Sequence, residues 1–319
     1  MIGELYMGQE AVIRVANGES MPATIGRGVR QGCPLSPLLF SIYAEKMMIE
    51  AMEDIDEGVN VGGKLVKDVK FADDQGMVAS SEQGLQRLMD ALTTTAKKYD
   101  MKINIKKTKT MLVSKSNIGG TVSIVIDGQL VEQVNKFLYL GSMMTEDGRC
   151  TTEVKRRIAM AKDAFSKRKE LLSRNMSRAV RKKIIKTVVW SVALYGSETW
   201  ALKKDEIQRL NALEMWIWRR MEKVSYKDRK TNEEVLDIVG EKRSLLETIV
   251  QRKKKWIGHI LRGEGLLKDV IEGRMEGKPP RGRKRIGMID DLKEESYQDM
   301  KRRAENRVSW RSWIPRTCQ

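Results

Sequence analysis

Two neighbouring aspartates, Asp73 and Asp74, are the residues of this sequence whose type and spacing most directly suggest chemistry. Paired carboxylates bind Mg²⁺, and the bound ion organises the phosphates of a nucleotide. Neighbouring side chains of a strand point to opposite faces, so the two carboxylates can share a ligand only where the backbone turns. The pattern over 68–79 predicts a strand, a tight turn and a second strand. A solvated turn without a ligand is the alternative that the pair alone leaves open.

A loop bracketed by glycines precedes this pair. Residues 28–37 read GVRQGCPLSP, and Gln31 stands directly before the second glycine, Gly32. Glycines let a backbone approach a base or a phosphate closely, and a helix N-terminus favours an anion. Ser36 and Pro37 have the pattern of an N-cap and a first helical residue, which predicts a mostly buried helix from Leu38 to about Met52. The alternative interpretation is an ordinary connection between a loop and a helix.

The elements around these two motifs predict mixed α/β structure, mainly antiparallel, up to about residue 142. A capping-box pattern at Ser80 opens an amphipathic helix that runs to about Tyr99. Asp127-Gly128 lies between alternating apolar residues, which is a strong hairpin signal within 122–131. The other predicted strands are Met101–Ile105, Thr110–Val113 and Phe137–Leu140.

The rear of the chain has a different character. Its periodicity predicts long basic helices at about 152–173, 177–200, 204–224 and 245–261. Residues 276–287, EGKPPRGRKRIG, combine prolines with a basic cluster and predict an exposed linker or arm. The predicted fold class is therefore α+β, with an antiparallel sheet and helices in front and an all-α basic region behind.

The positive charge is confined to the second half. The chain carries a net charge of +17, yet residues 1–150 hold 17 basic and 19 acidic side chains. The remaining residues therefore carry a net charge of +19. Such a division predicts two units, of which the rear one contacts phosphates. The alternative is a basic helical domain with no specific ligand.

The cysteines and the histidine limit which cellular compartment and which metal chemistry can be expected. Cys33, Cys150 and Cys318 are far apart and odd in number, which excludes a disulfide framework and fits a reducing compartment. His259 is the single histidine, and no cysteine lies near it, so a structural zinc site is not expected. The N-terminus lacks a signal-peptide pattern, and no membrane span is expected. We expect an intracellular protein, nuclear or cytoplasmic, rather than a secreted one.

Four motifs, in order, resemble those of reverse transcriptases. GVRQGCPLSPLLF (28–40) resembles motif B and FADD (71–74) resembles motif C. MKIN (101–104) with KTK (107–109) resembles motif D, and FLYLGS (137–142) resembles motif E, the primer grip. The likeness is strongest to the non-LTR, LINE-type retrotransposon enzymes, especially the RTE-like group. In the rear half LYGSETW, WIGH and RVSWRSW extend it.

This resemblance implies a partial polymerase palm at 1–148, a helical thumb and C-terminal region at 149–272, and a basic linker with a tail at 273–319. It implies an RNA template, a DNA primer and dNTPs as partners, with Mg²⁺ as cofactor and Mn²⁺ as a substitute. The implied residue roles are metal binding and catalysis by Asp73 and Asp74, catalysis by Lys107, nucleotide or template contact by Arg30, Gln31, Gly32 and Phe71, and primer positioning by Tyr139, Leu140 and Gly141.

The sequence departs from the family pattern at one essential place. The family carries another catalytic aspartate, in motif A, before motif B, whereas the first aspartate of this sequence is Asp54. Upstream of motif B stand only Glu4, Glu10 and Glu19, none of them in a motif A context. We expect a truncated copy that binds nucleic acid and is inactive alone. The alternatives are a non-enzymatic RNA- or DNA-binding module, or a chain that makes no stable protein.

Overall fold

Short antiparallel strands occupy the front of the chain and helices dominate the rear, so the α+β prediction is confirmed at this level. The computed structural model describes residues 2–16, 18–114, 119–168, 176–273, 287–292 and 296–314. The strands are β1 Gln9–Ala11, β2 Arg14–Val15, β3 Gly18–Glu19, β4 Ala23–Ile25, β5 Val59–Val61, β6 Lys64–Val66, β7 Asp68–Phe71, β8 Asp74–Met77, β9 Lys109–Thr110, β10 Val125–Ile126, β11 Gln129–Leu130, β12 Glu132–Gln133, β13 Lys136–Tyr139 and β14 Ser142–Thr145. The helices are α1 Ser36–Met52, α2 Glu82–Lys98, α3 Thr151–Ser166, α4 Arg178–Ile184, α5 Trp190–Ala193, α6 Lys204–Met221, α7 Asn232–Val239, α8 Leu245–Arg262, α9 Leu266–Glu272, α10 Tyr297–Glu305 and α11 Arg307–Trp313.

Every sheet among the described residues consists of two strands. The antiparallel pairs include β1 with β4, β2 with β3, β5 with β6, β7 with β8, β10 with β11, and β13 with β14. A two-stranded ribbon has two unpaired edges, and it depends on packing against other elements for its stability. Within the described residues, no third strand therefore extends the β7–β8 ribbon that carries Asp73 and Asp74.

Two compact units divide the chain, and they are interleaved in sequence. The first unit comprises residues 1–108 together with 123–132, and the second comprises 109–122 together with 133–319. The chain therefore passes from one unit to the other three times. The hairpin of β13 and β14 belongs to the second unit, with the helices. The three-part division implied by the resemblance stays a prediction.

The core of the first unit lies between α1 and α2. Met47 and Met48 of α1 are buried, as are Leu88 and Leu92 of α2, which follow the predicted amphipathic spacing. The opposite face of α1 is open to solvent, where Leu38, Ile42 and Ile49 are 60%, 59% and 59% exposed. The prediction of a mostly buried helix is therefore wrong for half of its surface.

Local differences between the predicted and observed elements concern caps and short strands. Helix α1 begins at Ser36 after Leu35, and its start has no side-chain cap. Ser81 rather than Ser80 caps α2, accepting a hydrogen bond from the amide of Gly84. Residues 101–105 form no strand. The predicted helix 177–200 is interrupted by a π-helical segment, Ile185–Val189, and by a turn after α5.

Tryptophans and a long-range cap organise the helices of the second unit. The rings of Trp190 and Trp218, both buried, meet edge to face with their centroids 5.6 Å apart. The buried carboxylate of Glu214 accepts hydrogen bonds from the amides of Ser244 (2.8 Å) and Leu245 (3.2 Å). These are free N–H groups at the start of α8, so Glu214 of α6 serves as the cap of α8.

A second cluster of the same unit forms where α8 meets α10 and α11. Trp310 is 2% exposed, and its indole N–H donates to the carbonyl of Lys254 at 3.0 Å. The indole lies against Gly258, where an added Cβ would come within 2.5 Å of Trp310 Cε2. Gly258 therefore provides the space that the indole fills.

Among the described helices, none combines the length and the apolar composition that a membrane span requires.

We expect Gly258→Ala to destabilise the protein by about 1–3 kcal/mol, because overpacking a filled core costs this much. In an open helix interior the same change stabilises by about 0.5–1 kcal/mol, so the expected sign is reversed. Denaturant unfolding of the full chain measures it. In a Trp310→Phe background the same change should cost less, since the indole edge is absent. Stabilisation by Gly258→Ala in both backgrounds would refute this packing.

Candidate functional site

The FADD motif forms the tip of an exposed hairpin. Phe71 of β7 pairs with Asp74 of β8, so Ala72 and Asp73 make the two-residue turn. Ala72 adopts φ +54°, a left-handed conformation that costs a non-glycine residue about 1 kcal/mol. Asp73 and Asp74 are both exposed, and the turn places their carboxylates at one end of the ribbon. The strand–turn–strand prediction is confirmed, with Asp74 as the first residue of the returning strand.

Lys70 anchors this hairpin to α1. Its amine lies 2.8 Å from a carboxylate oxygen of Glu45 and 3.4 Å from Asp68 Oδ2. Partial burial disfavours the charged amine, but the hydrogen bond to Glu45 and the charge of Asp68 outweigh it and raise the pKa of Lys70. Phe71, 64% exposed, and Val69, 44% exposed, leave apolar surface on the same strand. The ribbon is thus fixed by charge on one side and open on the other.

The aspartate pair suits one magnesium ion. Mg²⁺ in proteins is commonly held by one or two carboxylates together with phosphate oxygens of the substrate. A two-metal centre requires further ligands. In the part of the chain that the structure describes, no group of three or more carboxylate, histidine or cysteine side chains comes together. Asp73 and Asp74 therefore fit a single ion, and they do not by themselves supply a two-metal site.

The glycine-bracketed loop is exposed over the residues predicted to contact a nucleotide. Arg30, Gln31 and Gly32 are all exposed, and Gly32 has φ +81°. Next to them, the amide of Leu35 and the hydroxyl of Tyr6 lower the pKa of the Cys33 thiol. Left-handed backbone favours glycine, which explains why Gly32 occupies its place. The loop is available to a ligand, but the described contacts do not identify one.

Lys107, predicted to approach the nucleotide phosphates, lies in a turn of the first unit. Its amide donates to the side-chain oxygen of Asn104 at 3.1 Å and to the carbonyl of Asn104 at 3.0 Å. The side chain of Lys107 is exposed. A local side-chain-to-backbone bond of this kind replaces the strand that the sequence suggested before it. Lys107 is thus presented by a fixed turn.

The predicted primer-grip residues make a tight hairpin turn in the second unit. Tyr139 ends β13 and pairs with Ser142 of β14, so Leu140 and Gly141 form the turn. Their φ angles are +47° and +77°. Two successive positive φ values match the right-handed twist of the flanking strands. The structure therefore gathers Tyr139, Leu140 and Gly141 at one hairpin tip.

A buried ion pair on α3, which was not predicted, holds this tip. Glu153 and Arg157 are 3% and 5% exposed, and their charged groups approach to 2.5 Å. Glu153 accepts a hydrogen bond from the amide of Met143 at 2.9 Å. Arg157 donates to the carbonyl of Gly141, as Arg156 does at 3.2 Å. The turn and the strand β14 are thus bonded to one charged pair.

Tyr195 completes what we call the hairpin cradle, formed by Glu153, Arg157 and Tyr195. The Tyr195 hydroxyl donates to the carbonyl of Leu140 at 2.9 Å. The Arg157 guanidinium lies over the Tyr195 ring, 4.4 Å from its centroid. A cation held over an aromatic ring and hydrogen-bonded at its edge has little freedom. The cradle therefore fixes the backbone of the turn and leaves the side chain of Leu140 exposed.

The comparison with known families identifies the front of the chain. Residues 2–144 match the family described as reverse transcriptase (RNA-dependent DNA polymerase). The front of the chain is therefore similar to the reverse transcriptases. The matched range contains the FADD hairpin, the glycine-bracketed loop, Lys107 and the turn at Leu140–Gly141. Which portion of a reverse transcriptase the chain represents stays a prediction.

Similar proteins of transposable elements extend the likeness. The chain is 23% identical over 212 residues to a transposon-derived protein of Caenorhabditis elegans, covering 64% of this chain and 75% of that protein. It is 29% identical over 139 residues to the Pol polyprotein of the type-2 retrotransposable element R2DM of Drosophila melanogaster, covering 41% and 13%. It is 23% identical over 205 residues to the RNA-directed DNA polymerase of the mobile element jockey, also from Drosophila melanogaster, covering 62% and 22%. The chain thus spans less than a quarter of these two Drosophila proteins.

Beyond the reverse transcriptase match, two basic runs, RKKIIK (181–186) and RKKKW (252–256), are partly structural. Lys253 is fully buried, bonded to the carbonyl of Trp200 at 2.6 Å and to Asp291 at 2.5 Å. Lys254 lies 3.7 Å from the centroid of the Trp313 ring. In the other run, Lys182 and Lys186 share the carboxylate of Glu241. These amines stabilise the helical unit and are not free to contact phosphates.

Exposed cations remain in the helical unit after these are set aside. Lys155, Lys183 and Lys255 are exposed on α3, α4 and α8. Trp216 has Arg220 at 4.4 Å and Lys162 at 5.3 Å from its ring centroid, so cations already lie over it. The basic cluster at 281–285 lies outside the described residues. The helical unit therefore offers phosphates a set of separate surface lysines.

Proposed function

We propose that this chain is a reverse-transcriptase-related protein that binds a primer and its template and does not polymerise by itself. In this proposal the hairpin tip at Tyr139, Leu140 and Gly141 positions the primer end. Arg30, Gln31, Gly32 and Phe71 contact the nucleotide and template. Asp73 and Asp74 hold a magnesium ion, with Lys107 near the phosphates.

One observation carries the proposal: the turn at Leu140–Gly141, within the family match, is fixed by the buried pair Glu153–Arg157. Burying two charges costs several kcal/mol per ion and is repaid only by good geometry, so a buried pair is weak evidence for stability. Here it fixes an exposed turn instead of a core. A rigid, exposed turn is suited to hold the end of a primer strand. A flexible turn would have to be ordered on binding, and that entropic cost would weaken the complex.

The incomplete carboxylate set supports the absence of independent activity. Phosphoryl transfer depends on metal ions that stabilise both the attacking and the leaving oxygen. Asp73 and Asp74 fit one ion, and no larger donor cluster forms among the described residues. The same observation favours the second candidate function, a non-enzymatic RNA- or DNA-binding module. Primer extension after addition of a separately produced segment with motif A distinguishes the two, since only an incomplete polymerase gains activity from it.

The proposal predicts that RNA binding by the full chain weakens steeply with salt. Each phosphate neutralised by a lysine or arginine contributes about 0.7–0.9 to the slope of log K against log salt. With a net charge of +19 in the rear half, we expect several such contacts and a loss of about 10³-fold between 50 and 200 mM salt. Fluorescence anisotropy of labelled RNA at several salt concentrations measures the slope.

Paired lysine substitutions locate the contacts. Lys155→Gln with Lys255→Gln removes two exposed charges from the second unit and should lower the slope by about 1–2. Lys46→Gln with Lys102→Gln removes two exposed charges from the first unit and should leave the slope nearly unchanged. A flat salt response, or equal effects of the two pairs, would refute a binding surface in the second unit.

A further inference from the structure

Tyr226 is the most exposed aromatic side chain of the described residues. It is 98% exposed and begins a short 3-10 turn, Tyr226–Asp228, between α6 and α7. No cation or second ring lies over it in the described part of the chain. A large aromatic group normally recovers free energy by burial, so full exposure leaves both of its faces available.

The turn that presents Tyr226 is locked. The amide of Ser225 donates to the carboxylate of Asp228 at 2.6 Å, and the amide of Arg229 donates to the carbonyl of Tyr226 at 3.2 Å. The bond from Ser225 is the main reason that the pKa of Asp228 is lowered. From α6, Arg219 donates to the carbonyl of Lys230 at 2.9 Å. The backbone on both sides of the ring is therefore held in place.

Positive charge surrounds the ring. Lys223, Lys227, Arg229 and Lys230 are all exposed within four residues of Tyr226. Between Lys223 and Lys230 the one acidic residue is Asp228, and its carboxylate is engaged by Ser225 within the turn. An apolar protein partner would require a contiguous apolar patch, and this segment offers one ring among charges. An aromatic face among cations instead fits a base with phosphates on either side.

We propose that Tyr226 is a stacking site for an unpaired base of single-stranded nucleic acid, with Lys227 and Arg229 contacting the adjacent phosphates. The proposal rests on the nucleic-acid binding proposed above and adds a specific site to it. In a duplex the base faces are covered by their neighbours, so the ring can stack only on unpaired bases or strand ends. Tyr226 therefore confers a preference for single strands that phosphate contacts alone do not give.

The test compares Tyr226→Ala and Tyr226→Phe in the full chain. The probes are a labelled oligouridine and a blunt RNA duplex of equal length, titrated by fluorescence anisotropy at a fixed salt concentration. Tyr226→Ala should bind the single strand about tenfold more weakly, and the duplex should be affected less than about twofold. Tyr226→Phe keeps the ring and should bind both as the unchanged chain does. At 98% exposure neither change removes core contacts, and thermal unfolding verifies this.

Two further measurements make the outcome decisive. Arg229→Gln should weaken both probes and lower the salt slope, whereas Tyr226→Ala should leave the slope unchanged because it removes no charge. Val308→Ala, at an apolar residue of the second unit that is 78% exposed, should change nothing. Equal weakening of both probes by Tyr226→Ala, or no weakening, would overturn the stacking site while leaving the proposed function intact. Failure of the unchanged chain to bind either probe would overturn both.

Discussion

A primed RNA template incubated with the 319-residue chain, dNTPs and Mg²⁺ is expected to remain unextended. Transition-state stabilisation in phosphoryl transfer comes largely from the metal ions and from alignment. Asp73 and Asp74 stand at the tip of a two-stranded ribbon, and the described residues bring no further donor cluster together. Loss of part of the metal-binding set should lower the rate by roughly 10³-fold or more.

The control for this assay is Asp73→Ala, with Mn²⁺ tested beside Mg²⁺. Equal background from the two chains is the expected result. Extension that disappears in Asp73→Ala would show that the chain assembles a catalytic centre by itself, and the proposed inactivity would be wrong. Extension that appears only when a separately produced segment with motif A is added would show that the FADD hairpin can take part in catalysis but is an incomplete centre.

The largest stability effect is expected at the hairpin cradle. Arg157→Met removes the cation from a pair whose members are 5% and 3% exposed, and it leaves the buried Glu153 carboxylate only the less buried Arg156, at 3.3 Å, as an ion partner. Breaking a buried ion pair by removing one partner costs about 3–5 kcal/mol, and the remaining contact with Arg156 places the expected loss toward the lower figure. The hydrogen bond to the carbonyl of Gly141 is lost as well. Denaturant unfolding of the full chain should show this loss directly.

Helix α3 supplies a matched control for this change. Asp163 and Lys167 form an ion pair with the same i, i+4 spacing, at 2.8 Å, but their side chains are 59% and 71% exposed. Asp163→Ala should therefore cost at most about 0.5 kcal/mol. The double change Glu153→Leu with Arg157→Met should be less destabilising than Arg157→Met alone, because no unpaired charge remains. A double variant less stable than the single one would contradict the explanation by buried charge.

Local signals made the FADD hairpin and α2 predictable. The turn at Ala72–Asp73 lies between two short runs with strand spacing, and the stripe of Leu88 and Leu92 repeats at helical intervals. The position of the α2 cap was missed by one residue because Ser80 and Ser81 are equivalent in sequence. Only the bond from Gly84 distinguishes them.

The hairpin cradle was not predictable, because its parts are far apart in the chain. Met143, Glu153 and Tyr195 meet only after α3 and α5 have packed. The sequence does contain one signal, the i, i+4 spacing of Glu153 and Arg157, but on a basic helix that spacing usually marks a solvated pair. Burial is what separates this pair from Asp163 and Lys167, and burial is a property of the assembled fold.

Periodicity was also insufficient for α1 and for the basic runs. A continuous apolar sequence does not reveal which face packs, so the exposure of Leu38 and Ile49 could not be derived from it. A run such as RKKKW gives no sign that Lys253 points inward, because buried lysines are rare without a partner. That partner, Asp291, lies 38 positions further along the chain.

The three passages of the chain between its two units mean that no single break in the backbone separates them cleanly. A break after residue 108 would leave Ser123–Glu132, which belongs to the first unit, on the other fragment. A break after residue 132 would leave 109–122, which belongs to the second unit, on the first fragment. A recombination event between mobile elements that joined a foreign rear segment at either junction would therefore divide one of the two units. We therefore expect evolution to exchange the two units together and not one at a time.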